Sequence, residues 1–304
     1  MSSEQALLHG GELPPLRKIA SGKVRDIYQV DSHTLLILST DRISAFDVVM
    51  KNGVVGKGKI LTQLTAFWLN LLEQKNIVKH HLITTDVRKM PQSCQAHYEL
   101  LRGRAMLVKR LEMLPLEVIV RGYVAGSGWA EYQRVGTICG HVIPPNMQLS
   151  ERLPEPIFTP STKAEGGAHD ENITPEQAAS IVGAEICEQV EYLGKSLYTA
   201  AAEHVAQRGV ILADTKMEFG IGADGSIFLG DECFTPDCSR YWPASYYQIG
   251  KEQISFDKQY VRDYLKSNGF DRKTPMELPA AVIEQTREKY IEIFRIITGT
   301  DPDL

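Results

Sequence analysis

The stretch Leu212 to Glu232, LADTKMEFGIGADGSIFLGDE, constrains this chain more tightly than any other. Apolar and β-branched residues run from Val210 to Ile221, with Asp214, Lys216 and Glu218 at every second place. Asp224-Gly225, a strong short turn signal, precedes a second apolar run from Ser226 to Gly230. The pattern predicts a β-hairpin. With Asp224-Gly225 as a two-residue turn, Ala223 pairs with Ser226, and Glu218 falls directly opposite Asp231. Directly opposed side chains have Cβ atoms roughly 4.5–5.5 Å apart. Like charges at ~5 Å, with an effective dielectric of ~20, repel by about 3 kcal/mol. Two arrangements relieve that repulsion. A hard divalent cation such as magnesium takes carboxylate oxygens. Alternatively the acids fan into water, with Lys216 as their counter-charge. The residues alone leave both readings open.

The 304 residues are 43% hydrophobic and 23% charged, an ordinary globular composition long enough for two lobes. A net charge of -5 argues against a general nucleic-acid binder. No apolar run approaches the ~20 residues of a membrane span. The N-terminal MSSEQALLHGGELPP lacks the apolar core of a signal peptide. Cys94, Cys139, Cys187, Cys233 and Cys238 form no CxxC pair and read as small buried thiols in a reducing cytoplasm.

Along the chain, residues 19–40 read as a hairpin, with GKVRDIYQV and TLLILST as its strands. Residues 59–75 carry helical spacing at Leu61, Leu64, Phe67, Trp68, Leu71 and Leu72. Residues 104–109 read as a strand, and Pro115 is expected to interrupt the next segment as a hinge. VIVRGYVAG is extended and SGWAEYQRVG helical. Residues 143–172, rich in proline and glycine, are expected to form a long loop. TPEQ at Thr174 is a capping box with proline at the first helical position, opening a helix expected to run towards Gln207. Strands cluster early and helices late. The expected class is α+β with two lobes, a β-rich one over residues 1–112 and a mixed one over 113–304.

Four stretches carry chemistry. In SGKVRDIY, Lys23 and Arg25 alternate on one predicted strand face, about 7 Å apart, beside the flexible Gly22; they suit a polyphosphate or form a solvated strand edge. In EVIVRGYVAGSGWAEYQ, Arg121 sits in an apolar strand, and Gly126-Ser127-Gly128 opens a helix with free N–H groups. Arg121 with Ser127 reads as a phosphate-monoester site, or as a cap and a structural ion pair. In PSTKAEGGAHDEN, Lys163, Glu165, His169, Asp170 and Glu171 crowd one loop. In the opening hairpin, Asp214, Lys216 and Glu218 share a strand face, Asp231 and Glu232 end the partner strand, and Asp237, Ser239 and Arg240 follow in an expected turn. Acids for metal and bases for phosphate meet there, as in phosphoryl-transfer sites.

These stretches carry a resemblance. GKVRDIY, STDRISAFD, PLEVIVRGYVAGSGWAEY, PIFTPSTKAEGGAHDEN, ADTKMEFG and GDECFTPDCSRYW occur in order between Ser21 and Trp242. The series resembles the SAICAR synthetase family of purine biosynthesis, in its longer, fungal-type form. Arg25 stands where some members have lysine, which keeps the charge. The resemblance implies a two-lobed fold similar to ATP-grasp and kinase-like folds, with ATP in the cleft. It implies an ATP-dependent ligase that joins the carboxylate of carboxyaminoimidazole ribotide (CAIR) to the amine of L-aspartate through an acyl phosphate, with magnesium. It implies that Lys23 and Arg25 hold ATP phosphates, that Lys109 to Met113 form a hinge against adenine, and that Glu218 and Asp231 bind Mg2+. Lys216 would steady the transferred phosphoryl group. Arg121, Ser127, Ser239 and Arg240 would hold the ribotide phosphate. Asp47 would face the substrate, Asp214 the nucleotide, and Lys163 and Asp170 lie on the loop expected near the nucleotide. The expected partners are these small molecules, with no nucleic acid and no membrane, in either a monomer or a homo-oligomer. Two rivals remain. A kinase acting on an alcohol would need HRD and DFG strings, which do not occur. A non-catalytic nucleotide-binding regulator would leave Arg121 and Arg240 unexplained.

Overall fold

The computed structural model describes residues 5–163 and 171–304. The chain begins with β1 (Arg17–Ser21), β2 (Arg25–Gln29), β3 (Thr34–Ser39), β4 (Arg42–Ala45), β5 (Val48–Gly53), α1 (Lys57–Gln74), β6 (Lys79–His80) and β7 (Leu82–Thr84). Next come α2 (Gln92–Gln95), α3 (Tyr98–Leu101), β8 (Ala105–Lys109), β9 (Glu112–Tyr123), α4 (Gly126–Val135), β10 (Thr137–Ile138), β11 (His141–Val142), β12 (Arg152–Phe158) and β13 (Ser161–Thr162). It ends with α5 (Pro175–Val182), α6 (Ala184–Ala206), β14 (Val210–Ile221), β15 (Ile227–Gly230), β16 (Ser239–Pro243), α7 (Gln259–Ser267) and α8 (Ala280–Thr298).

Two sheets result. The first has the order β1-β2-β3-β8-β7. The second has the order β12-β9-β14-β15-β6, with β13 added on β9 and β16 on β14. Its long central strands, β9 and β14, alternate, except that β14 changes face at a bulge between Leu212 and Asp214, before which Val210 and Leu212 enter the core. Leu116, Val118 and Val120 of β9 and Met217 and Phe219 of β14 enter the main core, where residues of α1, α6 and α8 also pack. Glu117, Arg121, Asp214, Lys216 and Glu218 face the opposite side, because successive strand side chains point to opposite faces. One apolar and one charged face on the same two strands explain the period-two pattern in the sequence. The architecture is α+β and two-lobed, as expected.

Several local expectations give way. The hairpin turn holds three residues, not two: Gly222 N donates to Ser226 O, Ile221 pairs with Ile227, and Gly225 takes φ +74°. The register therefore shifts by one, and Glu218 lies opposite Gly230, not Asp231. The acid that does lie opposite Glu218 is Glu117, on the other neighbour of β14. Lys23 is not on a strand with Arg25; it sits in the tight turn between β1 and β2, closed by Gly22 N to Arg25 O at 2.7 Å. Pro115 is no hinge. β9 runs through it, and the register against β14 slips between Glu218–Glu117 and Gly220–Met113. Proline is tolerated in such a bulge, where no ladder N–H is required.

The expected loop over residues 143–172 contains β12 and β13, which extend the second sheet. The helix from Thr174 is two helices, α5 and α6, broken at Gly183. The capping box is present in full, with Thr174 Oγ1 accepting from Gln177 N and Gln177 Oε1 accepting from Thr174 N. Ser239 and Arg240 open strand β16 and do not lie in a turn. The five cysteines are free, and four of them are buried. No helix among the described residues is long and apolar enough to cross a membrane.

Trp68 ties α1 to the segment that follows β15. It is fully buried, with Phe234 at 5.3 Å and the His204 ring at 5.1 Å between centroids. Its indole N–H has no hydrogen-bond partner among the described residues. Trp68→Ala should cost about 3–5 kcal/mol by opening a cavity. Trp68→Phe should cost less than half as much, because it keeps an aromatic ring and deletes a buried, unpaired donor. Urea unfolding of both variants checks this; equal losses would show that the indole N–H contributes nothing unfavourable.

Candidate active site

A cleft of about 800 Å³ is lined by residues of both sheets. Among the candidates named from the sequence, Lys23, Arg25, Asp47, Lys109, Met113, Arg121, Ser127, Lys163, Asp214, Lys216, Glu218, Asp231, Glu232, Asp237, Ser239 and Arg240 line it; Glu171 does not, and is exposed, with its N–H donating to Thr162 Oγ1 at 3.2 Å. Glu165, His169 and Asp170 lie outside the described residues. One wall is apolar, built by Ile27, Leu35, Ile37, Val108, Leu111 and Met113. Near it Lys109 sets its ammonium 4.9 Å from the centre of the Phe228 ring.

The middle of the cleft is a charge lattice. Glu117 and Glu218 are directly opposed on β9 and β14. Lys216 donates to Glu117 Oε1 at 2.7 Å and Glu218 Oε1 at 3.3 Å. Lys163 donates to Glu218 Oε2 at 2.6 Å, and Ser161 Oγ to Glu117 Oε2 at 2.7 Å. Burial alone would raise the pKa of Glu218, but Lys216 and Lys163 overcome it and hold the carboxyl down at about 2. Lys216, half-buried, is held well above its ordinary range by Glu218 and Glu117, against the desolvation of the cleft.

Asp231 follows β15 with φ +53°. It accepts from Arg25 Nη2 at 2.7 Å, and Arg25 also reaches Glu232 Oε1 at 3.2 Å. Burial, with Glu218 and Glu232 close by, pushes Asp231 up to about 6 despite Arg25. The opposing effects on Glu218 and Asp231 identify a place with more buried negative charge than its cations balance. The hairpin register differs from the sequence expectation, yet Glu218 and Asp231 still share this pocket. Among the described residues no group of three or more His, Cys, Asp or Glu side chains forms a metal cage. Two carboxylates nonetheless suit magnesium, which keeps several waters and takes substrate phosphates. At the cleft's edge Asp47, in the tight β4–β5 turn with φ +65°, pairs with Lys23.

At the other end, two arginines converge on Asp214. Arg121 donates from Nη1 to Asp214 Oδ2 at 3.0 Å, from Nε to Thr159 Oγ1 at 3.0 Å and from Nη2 to Ser127 Oγ at 2.9 Å. Arg240 binds the same Asp214 oxygen through Nη1. Asp214 thus sits with this arginine pair and apart from Lys23 and Arg25. Ser239 Oγ bonds to Thr215 Oγ1 at 2.8 Å and is buried. Helix α4 starts here without a side-chain cap at Ala125. Gly126 is required twice over: its φ is +56°, and a Cβ there would lie 2.4 Å from Arg240 Nη2.

Glu117 and Asp257 went unnoticed in the sequence, and so did the partners of Asp237. Glu117 is a buried acid in an apolar strand, four residues before Arg121 and so on the same face. That spacing could have exposed it. Asp237 accepts from Lys57 and from the Tyr290 hydroxyl at 2.7 Å each and pairs with Lys258 at 2.9 Å. Against burial, Lys258 and Lys57 keep its carboxyl well below the usual range. These partners come from distant segments, so no local spacing reveals them. Asp257, 2% exposed, has an Oδ2 without a hydrogen-bond partner among the described residues, and lines the cleft with Lys258 and Arg262.

Comparison with known proteins decides the family. The SAICAR synthetase family model matches residues 18–277. The chain belongs to the SAICAR synthetase family. It is 51% identical over 282 residues to a phosphoribosylaminoimidazole-succinocarboxamide synthase of Candida maltosa, covering 92% of this chain and 94% of that one. The structure of a Saccharomyces cerevisiae SAICAR synthase complexed with SAICAR superposes with TM-score 0.88 at 42% identity, covering 96% of this chain and 98% of that one. A type-2 SAICAR synthetase in complex with ADP superposes at 0.68 with 28% identity, covering 94% and 99%. The chain is therefore an ATP-dependent ligase of purine biosynthesis that joins CAIR and L-aspartate to give SAICAR.

Asp214 carries the arginine pair. Asp214→Ala leaves Arg121 buried without its counter-charge and should cost about 3–5 kcal/mol. Arg240→Ala should cost clearly less, because Arg121 still neutralises Asp214. Chemical unfolding of the two variants orders them; a larger loss in Arg240→Ala would remove Asp214 from the centre of the cluster.

Proposed function

We propose that the cleft binds its substrates in sequence along β14. The observation that carries this reading is the order of charge on one strand face: Asp214 with its two arginines, then Lys216, then Glu218 with its excess of acids. Four residues of strand separate the ends by about 13 Å, room for a ribose and an imidazole between a phosphate and a carboxylate. The ribotide 5′-phosphate lies on Arg121, Ser127 and Arg240, with Ser239 beside them and Asp214 aiming the arginines. Its carboxylate then points at Lys216.

Adenine lies against the apolar wall at Lys109 to Met113, and Lys23, Arg25 and Lys163 meet the phosphates. Residues 1–112 act as the lobe that covers those phosphates, and residues 113–304 as the lobe that holds ribotide and metal. Glu218 and Asp231 would hold Mg2+, which would supply positive charge to the phosphates during phosphoryl transfer. The L-aspartate carboxylates fit Lys258 and Arg262, and the free Asp257 Oδ2 suits its ammonium group. Five unpaired cysteines fit a reducing compartment, and we assign the enzyme to the cytoplasm.

The chemistry follows from the carboxylate. It is a poor electrophile, because displacement by an amine would expel oxide. A CAIR carboxylate oxygen attacks the γ-phosphorus, and the bond to ADP breaks. The aspartate amine, having lost a proton, attacks the acyl carbon; the C–N bond forms as the C–O bond to phosphate breaks. Lys216 stabilises charge on the phosphoryl group in the first step, an interaction stronger in the transition state than before it.

Oxygen-18 in the CAIR carboxylate should appear in the released phosphate, because the oxygen that accepts the phosphoryl group leaves with it. Unlabelled phosphate would rule out the acyl phosphate. Lys216→Met should lower kcat by about a hundredfold with little change in substrate KM; normal kcat with a raised KM would demote Lys216 to a binding group. Glu218→Gln should reduce magnesium-dependent turnover at least as much while the protein stays folded. Full activity at unchanged magnesium demand would exclude Glu218 as a ligand.

A further inference from the structure

His81 belongs to no part of the scheme above, yet it touches several. It directly follows β6 and lies in the cleft, 3% exposed. Its backbone joins the two sheets: His81 N donates to Leu229 O of β15 at 3.1 Å, and His81 O accepts from Lys109 N, at the end of β8, at 2.8 Å. Its side chain reaches the next turn, with Nε2 3.1 Å from the carbonyl oxygen of Asp231. A carbonyl only accepts, so Nε2 carries the proton and donates.

Asp231 is the residue that needs such a restraint. Its φ of +53° is a left-handed conformation that non-glycine residues seldom adopt. It persists where the surroundings over-determine it. Arg25 restrains the Asp231 carboxylate, and His81 restrains the peptide behind it. The two bonds together fix the direction in which the carboxylate faces the cleft. The same residue is anchored at Lys109, where the adenine wall begins.

We propose that His81 is a positioning residue, which holds the strained Asp231 peptide so that its carboxylate is presented to the divalent cation. This rests on the reading of Asp231 as a metal ligand. Removing an outer partner of a ligand costs roughly 10–100-fold in metal affinity. Glutamine places an amide nitrogen near the position of Nε2 and can make the same bond.

The test is Mn2+ binding to the ADP-loaded enzyme, followed by electron paramagnetic resonance, with metal-free ADP binding followed by calorimetry. Wild type is compared with His81→Ala, His81→Gln and Asp231→Asn. His81→Ala should weaken Mn2+ binding at least tenfold while metal-free ADP binding holds, and His81→Gln should recover most of the loss. Asp231→Asn should weaken Mn2+ as much or more. Normal Mn2+ binding in His81→Ala beside a weakened Asp231→Asn would overturn the positioning role and leave the ligand assignment standing. Normal binding in both would overturn the ligand assignment itself. Equal losses of Mn2+ and ADP binding in His81→Ala, without recovery in His81→Gln, would show that the ring serves only packing and also overturn the proposal.

Discussion

Lys216 between Glu117 and Glu218 is the interaction on which the rest of the cleft depends. Two carboxylates directly opposed on neighbouring strands, in a buried site, repel strongly unless a cation lies between them. The lysine that separates them comes from the same strand as Glu218, two residues away, so strand geometry supplies the cation at no cost in loop entropy. That arrangement requires β9 and β14 to be long, adjacent and held in one register. The apolar undersides of both strands provide this, since Val118, Val120, Met217 and Phe219 are fully buried in the main core. The core therefore serves the chemistry by fixing a register, and a one-residue slip would send every charged side chain into the core.

Much of this was legible because a strand's period is exact. Alternation alone put Asp214, Lys216 and Glu218 on one face and bounded β14. Arg121 stood out as a cation in an apolar run. The hairpin register was not legible. Asp224-Gly225 also fits a three-residue loop with glycine in the left-handed position, and one residue moves the partner of Glu218 from Asp231 to Gly230. The acid pair inferred from the hairpin exists, but across the opposite neighbour, as Glu117 with Glu218. A neighbour distant in sequence is what local pattern cannot supply. The same limit hid the partners of Asp237, Lys57, Lys258 and Tyr290, which come from α1, the start of α7 and α8.

Sequence motifs also mix two roles that only packing separates. In STDRISAFD, Asp41 and Arg42 are buried and structural. Asp41 accepts from Leu7 N, Gly58 N and Arg104, and Arg42 reaches Asp26 and the carbonyls of Leu8, Gly22 and Lys23. They fasten the turn that carries Lys23 to the start of α1. Asp47, at the end of the same motif, faces the cleft. A charged residue in a motif is thus as readily a scaffold for the site as a member of it, and burial with saturated hydrogen bonds marks the scaffold.

The charge balance along the cleft gives the substrates a direction. At one end Arg121, Arg240 and Arg262 face Asp214 and Asp257, which leaves one positive charge. At the other, Glu117, Glu218, Asp231 and Glu232 face Lys216, Lys163 and Arg25, which leaves one negative charge. In a partly buried cleft such an imbalance is screened far less than on the surface. An anionic phosphate monoester is drawn to the first end and repelled from the second, unless it brings a cation. ATP brings one. A chain with a net charge of -5 can therefore take in polyanionic substrates and also sort them. Lys216 stands between the arginine end and the acid end of the cleft.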